Sequence, residues 1–322
     1  MTTHDPHALV ERLKELDHAH RSRAGRGRLR SGLGLALSLR FLRSAFAQWT
    51  RPPRMARPTR VTPPPPGEMK VTLVGHATVM ITSEKNRILT DPCFATSLWG
   101  LRRAQAPCLD DEDRAATTLV LISHAHRDHL HRPSLAQLPR TATVVVPRGC
   151  ADLVAPLGFA RVVELEPGDD FDAQDLLVTA VAARHPGRRG AFDWKWRASL
   201  GYLIRSPSVS VLFAGDTGYF SGFADIGRLV RPDVALLPIA GYEPLALRET
   251  HMSPLDALAA FEDLGAELLV PIAHGAFPLG YEPLDAPLAW LRELCQERGL
   301  EKRLAALGPG ETCRVRRPGA VA

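Results

Sequence analysis

Between positions 118 and 130 the chain passes from an apolar run straight into a cluster of ligand-type side chains. Thr118-Leu-Val-Leu-Ile-Ser123 is apolar and β-branched, which predicts a buried strand. It leads into Ser123-His124-Ala125-His126-Arg127-Asp128-His129-Leu130, where three histidines and an aspartate fall within six positions. A dense polar cluster at the end of a buried strand is where α/β folds place their active sites. Residues i and i+2 of an extended segment face the same way, so His124 and His126 can hold one ion together. Asp128 and His129 follow as the chain turns and can reach a second ion. Imidazole nitrogen with carboxylate oxygen suits zinc, and also iron or manganese. The spacing constrains the fold to one that brings further ligands to this strand end.

The rest of the chain alternates strands with helices. Strands are expected over 70–82 with Gly75-His76 in the middle, then over 88–92, 143–147, 161–165, 176–183, 200–205, 209–214, 234–239 and 268–272. Helices are expected over 133–138, 149–157, 220–230, 254–264 with Ser253 as N-cap, and 287–298. Residues 95–117 read as a long loop whose Trp99, Arg102 and Arg103 can form a substrate wall. Three more candidate ligands sit just past apolar strands: His185, Asp216 and His274.

The charge is unevenly spread. The net charge is +5, yet residues 1–60 hold twelve Arg, one Lys and four acidic residues, and the remainder holds 27 basic and 31 acidic ones. The positive excess belongs to an N-terminal extension, which suggests an anionic partner for it. Within it, Leu35, Leu39, Leu42, Phe46 and Trp49 recur at helical spacing with Arg40 and Arg43 among them. Residues 31–49 therefore read as a basic amphipathic helix, either lying in an anionic membrane surface or packing on the chain's own body. The apolar run is too short and too interrupted to span a bilayer, and it lacks the form of a secretory signal. Seven prolines in 51–66 mark a linker, so the expected domains are 1–66 and 67–322. Five scattered cysteines without a C-x-x-C pair argue for free thiols and a reducing, cytoplasmic compartment, with the protein peripheral on the inner face of the membrane if its helix binds there. The basic arm has no aromatic-interleaved groove, so no nucleic acid partner is expected.

The segment His124-x-His126-x-Asp128-His129 resembles the signature of the metallo-β-lactamase superfamily. Val74-Gly-His-Ala-Thr78, Ile88-Leu-Thr-Asp-Pro92, Phe213-Ala-Gly-Asp-Thr-Gly-Tyr219, His251-Met-Ser-Pro254 and Pro271-Ile-Ala-His-Gly-Ala-Phe277 extend the likeness over roughly residues 68–295. They look like the branch holding N-acylphosphatidylethanolamine-hydrolysing phospholipase D and L-ascorbate-6-phosphate lactonase. The resemblance implies a four-layer αββα sandwich. It implies two divalent metal ions, zinc foremost, with manganese or iron as alternatives. One would be held by His124, His126 and His185, the other by Asp128, His129 and His274, with Asp216 bridging. It implies a metal-bridging hydroxide held by Asp128, Asp91 orienting a ligand histidine, and His251 protonating the leaving oxygen or binding phosphate. His76 and Tyr219 would line the pocket. The implied activity is a phosphodiesterase acting on a phospholipid or small-molecule substrate. The alternatives are a lactonase acting on a phosphorylated lactone and, further off, a non-catalytic membrane-binding protein. The sequence departs from the phospholipase branch at Arg127 and in Pro186-Gly-Arg-Arg-Gly after His185, where arginines replace aromatic and asparagine residues.

Overall fold

The computed structural model describes residues 52–58, 60–190 and 193–316. The expected helix at 31–49 and the arm before it lie outside the described residues. The proline-rich stretch runs along the body. Val61 is buried and its N–H donates to the buried Asp113 at 2.7 Å, and Arg54 bridges to Gln105. Proline cannot supply ladder donors, so this contact is made by the residues between the prolines.

Two sheets face each other. The first holds β1 (Met69–Gly75), β2 (Thr78–Thr82), β3 (Arg87–Thr90), β6 (Leu119–Leu121), β7 (Thr143–Pro147), β8 (Arg161–Leu165) and β15 (Thr312–Val315), in the order β15-β1-β2-β3-β6-β7-β8. The second holds β9 (Asp170–Ala173), β10 (Leu176–Ala182), β11 (Leu200–Arg205), β12 (Ser210–Phe213), β13 (Val234–Pro238) and β14 (Leu268–Ile272), in the order β14-β13-β12-β11-β10-β9. A short pair, β4 (Ser97–Leu98) and β5 (Leu101–Arg102), stands apart. The helices are α1 (Asp111–Ala115), α2 (Arg132–Leu135), α3 (Ala151–Val154), α4 (Gly222–Leu229), α5 (Pro254–Leu264) and α6 (Ala286–Glu297).

Side-chain alternation along the central strands builds the layers. Leu119, Leu121 and Val145 face the second sheet and pack in one core with Val178, Tyr202, Val211 and Val270. Val120, Val144 and Val146 point the other way, onto Leu135 of α2 and Val154 of α3. Leu212, Ala235 and Leu237 likewise cover Phe223, Leu258, Phe261 and Leu291 of the helices on the far face. Strands covered on both faces must be apolar throughout, which is why they read as continuous apolar runs. The result is the expected four-layer αββα order. Among the described residues, no helix is long and apolar enough to cross a membrane, and all five cysteines are unpaired.

Strand direction decides where the loops gather. β1 and β3 are each antiparallel to β2, and β6 is parallel to β3, so all three run the same way. β10 and β12 are each antiparallel to β11, and β13 and β14 are parallel to β12. The carboxyl ends of each set emerge along one edge of its sheet. Two bonds tie those edges together there: Tyr202 Oη donates to the Ile122 carbonyl at 2.6 Å, and Leu200 N–H donates to the Ser123 carbonyl at 2.9 Å.

The structure differs from the sequence expectation at several elements. The expected strand over 70–82 is a hairpin. Gly75 (φ 137°) and His76 (φ 59°) turn the chain, and their positive φ cannot continue a strand. The loop over 95–117 contains α1, whose N-cap Asp110 accepts from Glu112 N, as well as β4 and β5. β9 and β15 were not expected. Ser253 caps α5 as expected, in a reciprocal box with Asp256.

Tyr202 is fully buried, so Tyr202→Phe leaves the Ile122 carbonyl short of a donor in the core. Its expected cost is about 1–2 kcal/mol. Urea unfolding of the variant should show the lower midpoint at unchanged slope.

Candidate metal centre

Asp91 anchors the site. It follows β3 in a left-handed turn (φ 36°) and is fully buried. Its carboxylate accepts three hydrogen bonds: from Ser123 N–H at 2.7 Å, from Ser123 Oγ at 2.5 Å, and from His129 Nδ1 at 2.6 Å. The Ser123 hydroxyl proton is thereby spent, so Ser123 Oγ accepts from His124 Nδ1–H at 2.9 Å. Both rings are thus held with Nδ1 as donor and Nε2 turned into the cleft, and burial keeps His124 neutral with Nε2 as its lone pair. His185 arrives from the other sheet, past β10, and its Nδ1–H donates to the Thr250 carbonyl at 2.8 Å. Its Nε2 is also a lone pair.

These lone pairs converge. His124 Nε2 lies 2.9 Å and His185 Nε2 3.1 Å from the same atom, His126 Nδ1. A neutral imidazole offers at most one proton there, so at least one lone pair has no donor. His129 Nε2 is buried without a hydrogen-bond partner, yet it lies 3.0 Å from Asp216 Oδ2 and 3.3 Å from Asp128 Oδ2. A nitrogen held between two carboxylates calls for positive charge there, either a proton on the ring or a metal ion in its place. The donor set therefore fits divalent metal: His124, His126 and His185 form one group of ligand atoms, and His76, Asp128 and His129 form another. Asp216 stands between them, 3.0 Å from His129 and grouped with His185 and His251.

Gly215 makes this approach possible. Its φ is 62°, and a Cβ there would sit 2.5 Å from Ser123 Cβ. The loops carrying Asp216 and His124 touch at that glycine, so no larger residue fits.

The electrostatics follow from the same arrangement. Burial raises the pKa of Asp128, but His129 and His76 outweigh it and hold the carboxyl well below its usual range. Asp216 is held down in the same way by His129, His251 and His185. Burial lowers the pKa of His129, but Asp216, Asp128 and Asp91 override it and push it well up. The pocket is built to concentrate positive charge.

The structure brings most of the predicted residues together but not all. His124, His126, Asp128, His129, His185 and Asp216 meet at the two ligand groups. His251 lines the same cleft, with Nε2 3.8 Å from Asp216 Oδ2 and its ring perpendicular to His185 at 4.9 Å. His274 joins none of the ligand groups. The Pro271 carbonyl accepts from its ring, and its Nε2 is buried without a partner. His76 stands beside Asp128 instead, at 3.1 Å, backed edge-on by Phe277. Tyr219 turns away from the cleft, and its hydroxyl donates to Asp263 of α5 at 2.5 Å. Trp99 lines the cleft, but Arg103 is a brace rather than a wall. It is 1% exposed, donates to the carbonyls of Cys93 and Gln105, and lies over Phe277. Sequence reasoning missed Ser123, whose place between strand and first ligand was its only signal, and Glu282. The buried Glu282 accepts from Gly241 N and Glu243 N and so shapes the cleft floor under His251. The cleft measures about 360 Å³.

A family model described as a Beta-lactamase superfamily domain matches residues 86–274. An uncharacterized protein of Mycobacterium tuberculosis is 32% identical over 68% of this chain, which spans 62% of that relative's length. A metal-dependent hydrolase of Methanopyrus kandleri is 31% identical, over 76% of this chain and 99% of its own. The N-acyl-phosphatidylethanolamine-hydrolyzing phospholipase D 1 of Caenorhabditis elegans is 28% identical over 70% of both chains. Among solved structures, the metallo hydrolase Igni18 of Ignicoccus hospitalis shares the fold at TM-score 0.60, with 24% identity over 78% of this chain and all of its own.

Two outcomes test the site. Asp91→Ala releases His129 and, through Ser123, His124, so zinc affinity measured by chelator competition should fall about 10–100-fold. Burial pushes His274 down to about 4 from its ordinary 6.5. It stays neutral in the folded protein while the unfolded chain takes up the proton, so its contribution is lost as pH falls from 6.5 toward 4. Chelator-treated wild type should therefore lose more stability between about pH 7 and about pH 5 than His274→Gln does, by about 2 kcal/mol. Equal losses in urea titrations would show that His274 is not held buried and neutral.

Proposed function

The chain belongs to the beta-lactamase superfamily, and from that premise we propose that it is a metal-dependent hydrolase, a dinuclear phosphodiesterase with zinc as the first choice of metal. The observation that carries this reading is the pair of adjoining ligand groups with Asp216 between them. In this reading His124, His126 and His185 hold one ion, and Asp128, His129 and His76 lie around the second. Bound there, two ions supply an acidified water and offset the charge that develops on ester oxygens.

The chain's own residues do the rest. Asp128 stays ionised under His129 and His76 and accepts a hydrogen bond from the attacking water, which orients it. His251 is held by the Thr250 hydroxyl at 3.1 Å from Nδ1 and presents Nε2 to the cleft. From there it donates a proton to the leaving oxygen. Phe277 and Leu279 give the cleft an apolar side next to the polar centre. Such a mixed wall suits an ester with an apolar arm, and the phospholipase named among the relatives hydrolyses one. The basic segment 31–49 would bring the protein to an anionic membrane surface.

Phosphorus NMR on zinc- and manganese-loaded protein, with a phosphodiester panel that includes N-acylphosphatidylethanolamine in micelles, tests the reading. Metal-dependent cleavage absent in Asp128→Ala is expected. His251→Gln should keep its metal content and lose about 100-fold in kcat. Opening of phosphorylated sugar lactones, with every phosphodiester left intact, would replace this reading with the lactonase one.

A further inference from the structure

Arg189 stands in the wall of the metal cleft, four residues past His185. Its Nη1 donates to the carbonyls of Ala125 at 2.9 Å and Leu130 at 3.1 Å, on the loop that carries His126, Asp128 and His129. These bonds fix the guanidinium without neutralising it. The nearby carboxylates are already engaged. Asp193 accepts from Arg197 Nε at 2.7 Å, and Asp152 takes Lys195 at 2.5 Å and Arg197 at 2.6 Å. Among the described residues, Arg127, Arg132, Arg188 and Arg189 have no carboxylate at ion-pair distance.

The field there is positive. Burial, then the charges of Arg127, Arg132 and Arg197, pull the Arg189 pKa down, against Asp193. Gathering like charges in and beside a cleft is unfavourable unless an anion arrives to separate them. A guanidinium presents a planar fork of donors that matches the oxygens of a phosphate two at a time. The half-buried Arg189 is pre-set by its carbonyl bonds, and the exposed Arg127 stands on the same 125–130 loop that those bonds grip.

We propose that Arg189 and Arg127 form a binding site for a phosphate group that the substrate carries outside the bond being cleaved. The inference rests on the hydrolytic reading of the cleft and adds a substrate class to it: an ester bearing a second phosphate, either on a soluble molecule or as a lipid headgroup. The metal groups take the scissile ester, and the arginines choose among esters.

The test is binding, so it stands whether or not a phosphodiester is turned over. Calorimetric titration of metal-loaded protein with inorganic phosphate should show affinity about tenfold weaker in Arg189→Gln and several-fold weaker in Arg127→Gln. Arg127 makes no contact that folding needs, so its variant guards against a misfolded Arg189→Gln. Wild-type affinity in both variants means that the metal ions alone hold phosphate, and overturns the proposal. A second arm separates the two sources. Phosphatidylcholine vesicles with and without phosphatidylglycerol are added, and the fluorescence of the exposed Trp194 and Trp196 is followed. Binding that needs phosphatidylglycerol and is lost in Arg189→Gln supports the site with a headgroup as its ligand. Arginine-dependent phosphate binding, with vesicle binding absent or unchanged in Arg189→Gln, supports it with a soluble one, since segment 31–49 can carry the chain to the vesicles by itself.

Discussion

Five imidazoles and two carboxylates meet within a few ångströms at the sheet edges, with the lone pairs of His124, His126 and His185 facing one another and His129 set between Asp128 and Asp216. Left to themselves the two carboxylates repel each other, and in a buried site that repulsion is large because little solvent screens it. Much of the surrounding structure holds them against that repulsion. Asp91 accepts three hydrogen bonds from Ser123 and His129, and the Thr250 carbonyl fixes His185. Without these partners the rings could flip and satisfy one another, and the affinity for a cation would be lost. The hydrogen bonds behind the ligands thus do as much to make a metal site as the ligands themselves.

The rigidity comes from the sandwich. A core filled by both sheets is close-packed, and it leaves the strand ends little freedom. The direction of the strands then decides what those ends can carry. Asp91, the His124–His129 run, His185, Asp216 and Ala273 each follow the carboxyl end of a strand, and His76 follows β1. Three of these positions, His76, Asp91 and Ala273, hold positive φ at 59°, 36° and 57°. Such conformations cost on the order of 1–3 kcal/mol each and persist only where the surroundings over-determine them. Their gathering at one edge shows where stability has been given up for placement.

That strain also marks what was legible in the sequence. The ligands of the first group stand two apart in an extended segment or just past an apolar strand, so period and spacing revealed them. The four-layer order came from the resemblance, since apolar strands covered on both faces look alike in any α/β chain. The exchange of His76 for His274 beside Asp128 was not legible. It depends on a left-handed turn at His76, a residue with a Cβ that ordinarily avoids that region, and on a ring rotated toward the Pro271 carbonyl. Tyr219 and Arg103 were misplaced for a related reason: a hydroxyl and a guanidinium reach far, and their partners, Asp263 and the Cys93 carbonyl, are distant or carry no sequence signal. β9 escaped because Asp170 and Asp172 occupy its solvent face, although Phe171 and Ala173 alternate inward.

Two parts of the cleft carry different kinds of information. On the metal-facing wall, His124, His129 and His185 are each fixed by a second bond behind the ring. A substitution there leaves a buried charge or lone pair unpaired and is costly in any context. Arg189, in the same cleft, lies in the stretch after His185 where the sequence departs from the phospholipase branch it resembles. If the cleft selects among esters, the proposed phosphate site at Arg189 places that choice in the stretch after His185, beside the metal groups and not within them.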